Sequence, residues 1–277
     1  MTSHPLAPNI RSTLGTQFER DVFEAGLLSL DQVINPLRLN HFATTLRELS
    51  RIVLVRLAPD ADVKACAWYS QAQGQPEITR HQRITYAVQA GLLDPFVTNT
   101  LQLDVAKMRK ELLYSINELS KFTHIGPAVF GVSGVQLDMT VTESLEAFLA
   151  FLEMIQECRQ SVENAVQDQA EQVLHDELLS KTVDKLDELA THYQVEATQV
   201  EAVNVTVLDA TRIEFSVSGY VICQFQYGSD ADVRNDGGVI TNDSYPLTCE
   251  FSADIVTPLQ VEVKPQTLKI DNESFYK

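Results

Sequence analysis

The feature that most constrains the fold is a change in the spacing of apolar residues at about Tyr193. Before this point apolar residues recur every three or four positions, as they do in amphipathic helices. After it they alternate with polar residues, as Val203, Val205 and Val207 do, and turn-forming residues separate the runs. The change predicts an α+β protein, with an N-terminal helical domain followed by a C-terminal antiparallel β domain.

The same change sets the predicted domain limits. A length of 277 residues suggests roughly two domains. We expect an N-terminal segment at 1–36, a helical domain at 37–193 and a β domain at 194–277. In the β domain, turn signals predict short strands. These strands are expected at 213–219, 220–227, 246–252, 261–263 and 268–270.

The charge of the chain limits how it can bind other molecules. The net charge is −17, and from Glu196 onward 13 acidic and 5 basic residues give −8. This balance argues against a mainly electrostatic hold on nucleic acid, although a local basic patch remains compatible with it.

The chain shows no signal for a membrane or for secretion. It has no run of 18 apolar residues, so we expect no transmembrane helix, and its first residues lack the pattern of a secretory signal. The four cysteines are too far apart in sequence to suggest a zinc site or a disulfide framework, and we expect buried thiols and a cytoplasmic location. They are Cys66, Cys158, Cys223 and Cys249.

The candidate catalytic group lies at the end of a helix predicted from Asp104 to about Thr123. Asn117, Lys121 and His124 follow one another at spacings that place side chains above one another on a helix. An imidazole can act as general acid or base near neutral pH, while an amide or ammonium group orients a phosphate. This corner suggests metal-independent RNA cleavage, with no cofactor. The alternative is a helix cap, because a histidine suits the negative end of a helix dipole.

Four arginines are candidates for binding nucleic acid. Arg47 and Arg51 belong to a helix predicted to end before Pro59, and Arg80 and Arg83 belong to the first turn of a later helix. They could form a wall of a phosphate-binding groove, or they could be solvated edges and ordinary salt bridges. The most useful test of the nuclease hypothesis is whether these side chains and His124 meet in one exposed cleft.

Two further patterns leave alternatives open. The helices around Gly91 have the outline of a helix-turn-helix, whose third helix carries Lys107, Arg109 and Lys110, although the overall charge opposes DNA binding. The loop with Asp230, Asp232 and Asp236 resembles a calcium loop, but Arg234 occupies a ligand position. A different metal site or an acidic hairpin turn stays open for that loop.

The segment 119–124, Leu-Ser-Lys-Phe-Thr-His, resembles the closing segment of HEPN-type helical domains. RNase members of that group carry an arginine, four to six variable residues and then a histidine, and Asn117 stands at the arginine position here. The resemblance implies a helical fold and RNase chemistry at His124. The long helix predicted after Thr140 offers a dimer surface, so we expect a homodimer in which two copies of the site could face each other.

The chain from about 37 to 255 resembles bacterial proteins described as predicted pPIWI-associating nucleases, which are tied to anti-phage defence. This resemblance implies a nuclease that acts on nucleic acid, and a partner defence protein. A non-catalytic sensor or adaptor that docks a partner with its acidic β domain is the alternative. The resemblance depends on segments 57–60, 63–69, 80–89, 119–124 and 226–232.

Overall fold

The computed structural model describes residues 4–71, 77–127, 129–186, 193–227, 238–264 and 266–271, with the backbone alone for 169–186, 193–196, 225–227 and 240. It confirms the predicted α+β layout, with helices in the N-terminal part and an antiparallel sheet in the C-terminal part. No helix among the described residues is long and apolar enough to cross a membrane.

The helices pack through apolar stripes, and side-chain caps fix several of their starts. Thr16 and Thr79 each form a capping box, because their hydroxyls accept hydrogen bonds from the backbones of Glu19 and Gln82. The helices are α1 (Ala7–Thr13), α2 (Gln17–Leu30), α3 (Arg38–Leu57), α4 (Asp60–Ala65), α5 (Arg80–Gln89), α6 (Val105–Glu118) and α7 (Gly134–Leu186), with a π-helical turn at Phe96–Thr100.

Helix α6 ends earlier than the sequence predicted. Its last residue is Glu118, and tighter turns follow, in which the backbone N–H of Ser120 donates to Asn117 and that of Lys121 donates to Glu118. These bonds reach back three residues instead of four. The helical spacing expected between Asn117 and His124 therefore does not hold.

The sheet is built on three long antiparallel strands. The strand order is β1-β2-β3-β4, and β5 pairs with β3 on the side opposite β2. Buried residues alternate along β2 and β3, so one face is apolar. The strands are β1 (Tyr193–Leu208), β2 (Arg212–Tyr227), β3 (Val239–Asp254), β4 (Val261–Val263) and β5 (Lys269–Ile270).

Two strand boundaries predicted from sequence are wrong. The segments 213–219 and 220–227 form one strand, β2, because Gly219 pairs with Val200 and Leu247 without a turn. Pro246 lies inside β3 and does not begin it. Its carbonyl accepts a hydrogen bond from Asp271, so its nitrogen also faces away from β2 and its missing N–H removes no bond to that strand.

The chain packs as two units. The first contains residues 1–90 and 94–162, and the second contains 91–93 and 163–277. Each unit holds two free, buried cysteines: Cys66 and Cys158 in the first, Cys223 and Cys249 in the second. Burial raises the pKa of the Cys158 and Cys223 thiols to about 11. The domain limits at 36/37 and 193/194 stay predictions.

A buried carboxylate organises the start of α2. Glu19 has no exposed surface, and its oxygens accept hydrogen bonds from the backbones of Gly15 and Thr16 and, at 2.6 Å, from Nε of Arg56 on α3. A buried charge with this many donors joins two helices and the loop before them.

We expect Glu19→Ala to lower the free energy of unfolding by about 3 kcal/mol, because it leaves a guanidinium and two backbone donors without their acceptor. Glu19→Gln keeps an acceptor and should lose less. Chemical denaturation followed by circular dichroism measures both. Asp21→Asn, an exposed control on α2, should change stability by no more than about 0.5 kcal/mol. An equal loss in this control would refute the assignment.

The sheet generates a second stability prediction at Gly219. A Cβ atom at this position would lie 2.0 Å from the backbone oxygen of Gln199, next to the irregular pairing between Val200 and Ala202. Gly219→Ala should destabilise the sheet by roughly 1–3 kcal/mol, because no side-chain rotation relieves a backbone clash. The same denaturation measurement tests it, with Ser218→Ala as the neighbouring control; equal stability of the two variants would contradict the clash.

Candidate functional site

His124 lies exposed on the loop between α6 and α7. The buried amide of Asn40, in the first turn of α3, donates hydrogen bonds of 2.8 Å to the carbonyl oxygen of Thr123 and 3.4 Å to that of Phe122. Farther along the loop, the N–H of Gly131 donates to the carbonyl of Pro36. Two hydrogen bonds therefore attach the backbone of the loop that carries His124 to the beginning of α3.

Lys121 belongs to the same loop, but carboxylates already bind its ammonium group. It pairs with Glu118, and its Nζ lies 3.7 Å from Oε1 of Glu143 on α7. The hydrogen bond that its ammonium group donates to Glu118 is the main cause of the raised pKa of Lys121. Asn117, in the last turn of α6, is exposed. All three predicted side chains are thus exposed, and the ammonium group of Lys121 is neutralised by carboxylates in this structure.

Arg47 and Arg51 lie on the same side of α3 as Asn40. Seven and eleven residues bring them back to within about 20° of Asn40 around the helix axis, at about 10 and 16 Å along it. Arg47 is half-buried, and Arg51 pairs with Glu48 at 2.8 Å. Both arginines therefore follow Asn40 along one side of α3.

Arg80 and Arg83 lie at the other end of α3. Arg83 donates 2.6 Å hydrogen bonds to the carbonyl of Ala58 and to Asp60, and Arg80, exposed, is one helical turn before it. Ala58 is 18 residues beyond Asn40, or about 27 Å along the helix axis. The structure therefore does not bring Arg83 together with His124, because the full length of α3 separates them.

A polar cluster that sequence reasoning missed joins α5, the segment after it and α6. Arg109 is buried and donates to both oxygens of Asp94, at 2.8 and 2.7 Å, and to Oε1 of Gln89 at 3.0 Å. Gln89 also donates to Asp94 at 2.8 Å. Within the described part of the chain, Nε of Arg109 has no partner. The bidentate geometry makes this an internal fastening of three segments.

A sequence signal for this cluster exists. Val105, Arg109, Leu112 and Ile116 are spaced by four, three and four residues, so the arginine falls on the buried stripe of α6. A buried arginine needs a carboxylate partner. Because Arg109 is buried, it is not one of the basic side chains that a DNA-reading third helix could present to DNA.

The cluster shifts the titration of Asp94. Hydrogen bonding from Arg109 is the main cause of the lowered pKa of this carboxyl, which partial burial opposes and Gln89 reinforces; His81 adds a smaller electrostatic contribution. The side chain of Asp94 remains 55% exposed, so the ion pair borders solvent.

Among the residues that the structure describes, no group of three histidine, cysteine or acidic side chains could hold a metal ion. The loop with Asp230, Asp232 and Asp236 lies outside the described residues, and its role stays open.

These observations define a two-part α+β protein whose helical unit presents an exposed imidazole on the loop between α6 and α7. The chain belongs to the family described as predicted pPIWI-associating nucleases. One model of this family matches residues 11–148, and a second with the same description matches residues 155–276. No curated protein and no solved structure matches the chain.

The Asp94 cluster predicts a pH-dependent stability difference. The pKa of this carboxyl is lowered in the folded state, so the group contributes stability when the pH is above its unfolded-state pKa of about 4. This contribution disappears as the pH falls through the folded-state pKa. Asp94→Asn should cost about 1 kcal/mol at pH 7, which is below the usual range for charged hydrogen bonds because the carboxylate is half exposed.

The stability gap between this variant and the wild type should close as the pH falls below about 4. Denaturant titrations at a series of pH values measure it. Asp104→Asn, which changes a helix cap instead, serves as the comparison. A gap for Asp94→Asn that is constant across this range would contradict the ion-pair account.

Proposed function

We propose that this protein is a nuclease, or a nucleic-acid-binding component, of a bacterial anti-phage defence system, with a HEPN-like helical unit. Membership of the predicted nuclease family supports it. The structural observation that carries it is the exposed His124, whose neighbouring backbone carbonyl accepts a hydrogen bond from the buried amide of Asn40. An accessible histidine on an anchored backbone is what general acid–base cleavage of a phosphodiester needs.

The proposed roles follow from the surroundings of His124. The imidazole would accept or donate the proton in the cleavage step, since histidine changes protonation near neutral pH. Asn117 and Lys121 would orient the phosphate. Lys121 must then exchange Glu118 or Glu143 for the substrate, and exposed ion pairs of this kind contribute little to stability.

The arginines suggest how much substrate the surface accommodates. Arg47 and Arg51 would supply positive potential next to the histidine, because they share the side of α3 that holds the loop. Arg80 and Arg83 would touch only a substrate that runs the length of the helix. About 27 Å corresponds to about eight nucleotides of a stacked strand.

The proposed setting is cytoplasmic. The four thiols are free and buried, which suits a reducing compartment. The family description names association with a pPIWI protein, and we extend it to this chain as a partner defence protein. A homodimer would bring two copies of the His124 corner into one assembly.

A second candidate function is a non-catalytic sensor or adaptor that docks a partner through the acidic β unit. The observation that favours it is the internal pairing of basic side chains. Arg51 pairs with Glu48, and Arg83 pairs with Asp60, so less positive charge is available to nucleic acid. The charge of −8 from residue 196 onward would suit a basic surface of a partner.

The nuclease assignment predicts the effect of replacing the imidazole. His124→Ala should lower cleavage of fluorescent RNA or DNA oligonucleotides at least about 100-fold, the lower bound for loss of a general acid or base. Gel-resolved rates with and without a chelator measure the activity and its dependence on metal. His81→Ala, which removes another exposed imidazole, is the matched control.

Undiminished cleavage by His124→Ala would remove this assignment. If the folded wild-type protein neither cuts nor binds any of the oligonucleotides, the sensor or adaptor function is favoured instead.

A further inference from the structure

A groove of about 560 Å³ runs between α6 and α7 in the helical unit. Tyr114 lines it from α6, and Ala147, Ala150 and Met154 line it from α7. Two small side chains and a thioether leave an apolar floor under the tyrosine ring. The groove is large enough for a planar aromatic group, since ligand sites of this class hold roughly 300–1,000 Å³.

The charges around this groove do not cancel completely. Its two carboxylates have cation partners: Glu111 has Lys107 at 3.9 Å, and Glu118 has Lys121. Lys110 also lines the groove and makes no ion pair with any residue that the structure describes. One positive charge is therefore left for an anion at this position.

Tyr114 lies one helical turn beyond Lys110, so the two side chains are neighbours on the surface of α6. Tyr114 is 65% exposed, so a face of its ring is accessible to a ligand. Its phenol contributes to the raised pKa of Lys121, so Tyr114 also lies near the His124 loop. The groove thus leads from Lys110 past an exposed ring towards the candidate catalytic corner.

We propose that this groove binds single-stranded nucleic acid, with a base stacked on Tyr114 and a backbone phosphate at Lys110. This inference rests on the proposed function and adds the substrate class. An unpaired base can enter the groove and offer its face to the ring, whereas a duplex keeps its bases stacked.

The dimensions agree with this path. From Lys110 to Glu118 the helix rises about 12 Å, the length of three to four stacked nucleotides. A strand of that length would continue from Glu118 to Lys121 and His124. Stacking also supplies affinity to a protein whose net charge is −17.

The experiment measures binding of fluorescein-labelled 12-nucleotide oligouridine and oligothymidine to the full chain by anisotropy. Tyr114→Ala should weaken binding between about 5-fold and 150-fold, which corresponds to the loss of one stacked base. Tyr114→Phe keeps the ring and should bind within about twofold of the wild type. Phe18→Ala, which removes an exposed aromatic side chain on α2, should have no such effect.

The salt dependence tests Lys110 separately. Removing one phosphate contact lowers the slope of log affinity against log salt by about 0.7 for a single strand. Lys110→Gln should show this decrease. Lys64→Gln removes a charge from an exposed position on α4 of the same unit, and it should leave the slope unchanged.

The outcomes separate this inference from the nuclease assignment. Binding that depends on Tyr114, without any cleavage, would support the proposed groove and contradict the nuclease assignment. Cleavage that depends on His124, with binding indifferent to Tyr114 and Lys110, would overturn the groove and keep the nuclease. Preference for a duplex competitor, or no binding of either labelled strand, would also overturn the groove proposal. In the latter case a protein segment would be the remaining ligand for the groove.

Discussion

The hydrogen bond from the amide of Asn40 to the carbonyl of Thr123 is the contact on which the candidate site depends. It joins residues 83 positions apart, and it anchors the loop between α6 and α7 that carries His124. Because the donor is in the first turn of α3, that helix sets distances across the site. His124 is at its start, Arg47 and Arg51 follow along one side, and Arg83 is at its far end.

The fold class could be read from the sequence because it depends on local periodicity. Helices bury a side chain every three or four residues and strands every second residue, and the chain changes from one to the other near Tyr193. Strand limits were harder. Gly219 and Pro246 are residue types that often end a strand, but pairing with the neighbouring strands overrides that preference.

The site was less predictable because its contacts are long-range. No local pattern shows that Arg83 binds Asp60, or that Arg109 reaches Gln89 and Asp94. Helix α6 ends at Glu118, and the loop that follows is hydrogen-bonded to Asn40 on α3. The spacing that seemed to unite Asn117, Lys121 and His124 assumed a helix that continues, and the chain instead tightens into shorter turns.

Charge pairing limits how this acidic protein could attract a nucleic-acid ligand. Arg51, Arg83 and Lys121 each have a carboxylate beside them, so their field is weak at a distance and grows only when a ligand replaces the partner. Such a surface would select a strand by close contact more than by long-range attraction.

The buried thiols of the two units have a practical consequence. Thiolate is the form that alkylating reagents attack, and burial both shields these sulfurs and, at Cys158 and Cys223, holds the proton in place. An alkylating reagent therefore reacts with each thiol only after the unit around it opens. With one pair of cysteines on either side of residues 162 and 163, the protein carries built-in reporters that can time the opening of its helical and sheet parts independently.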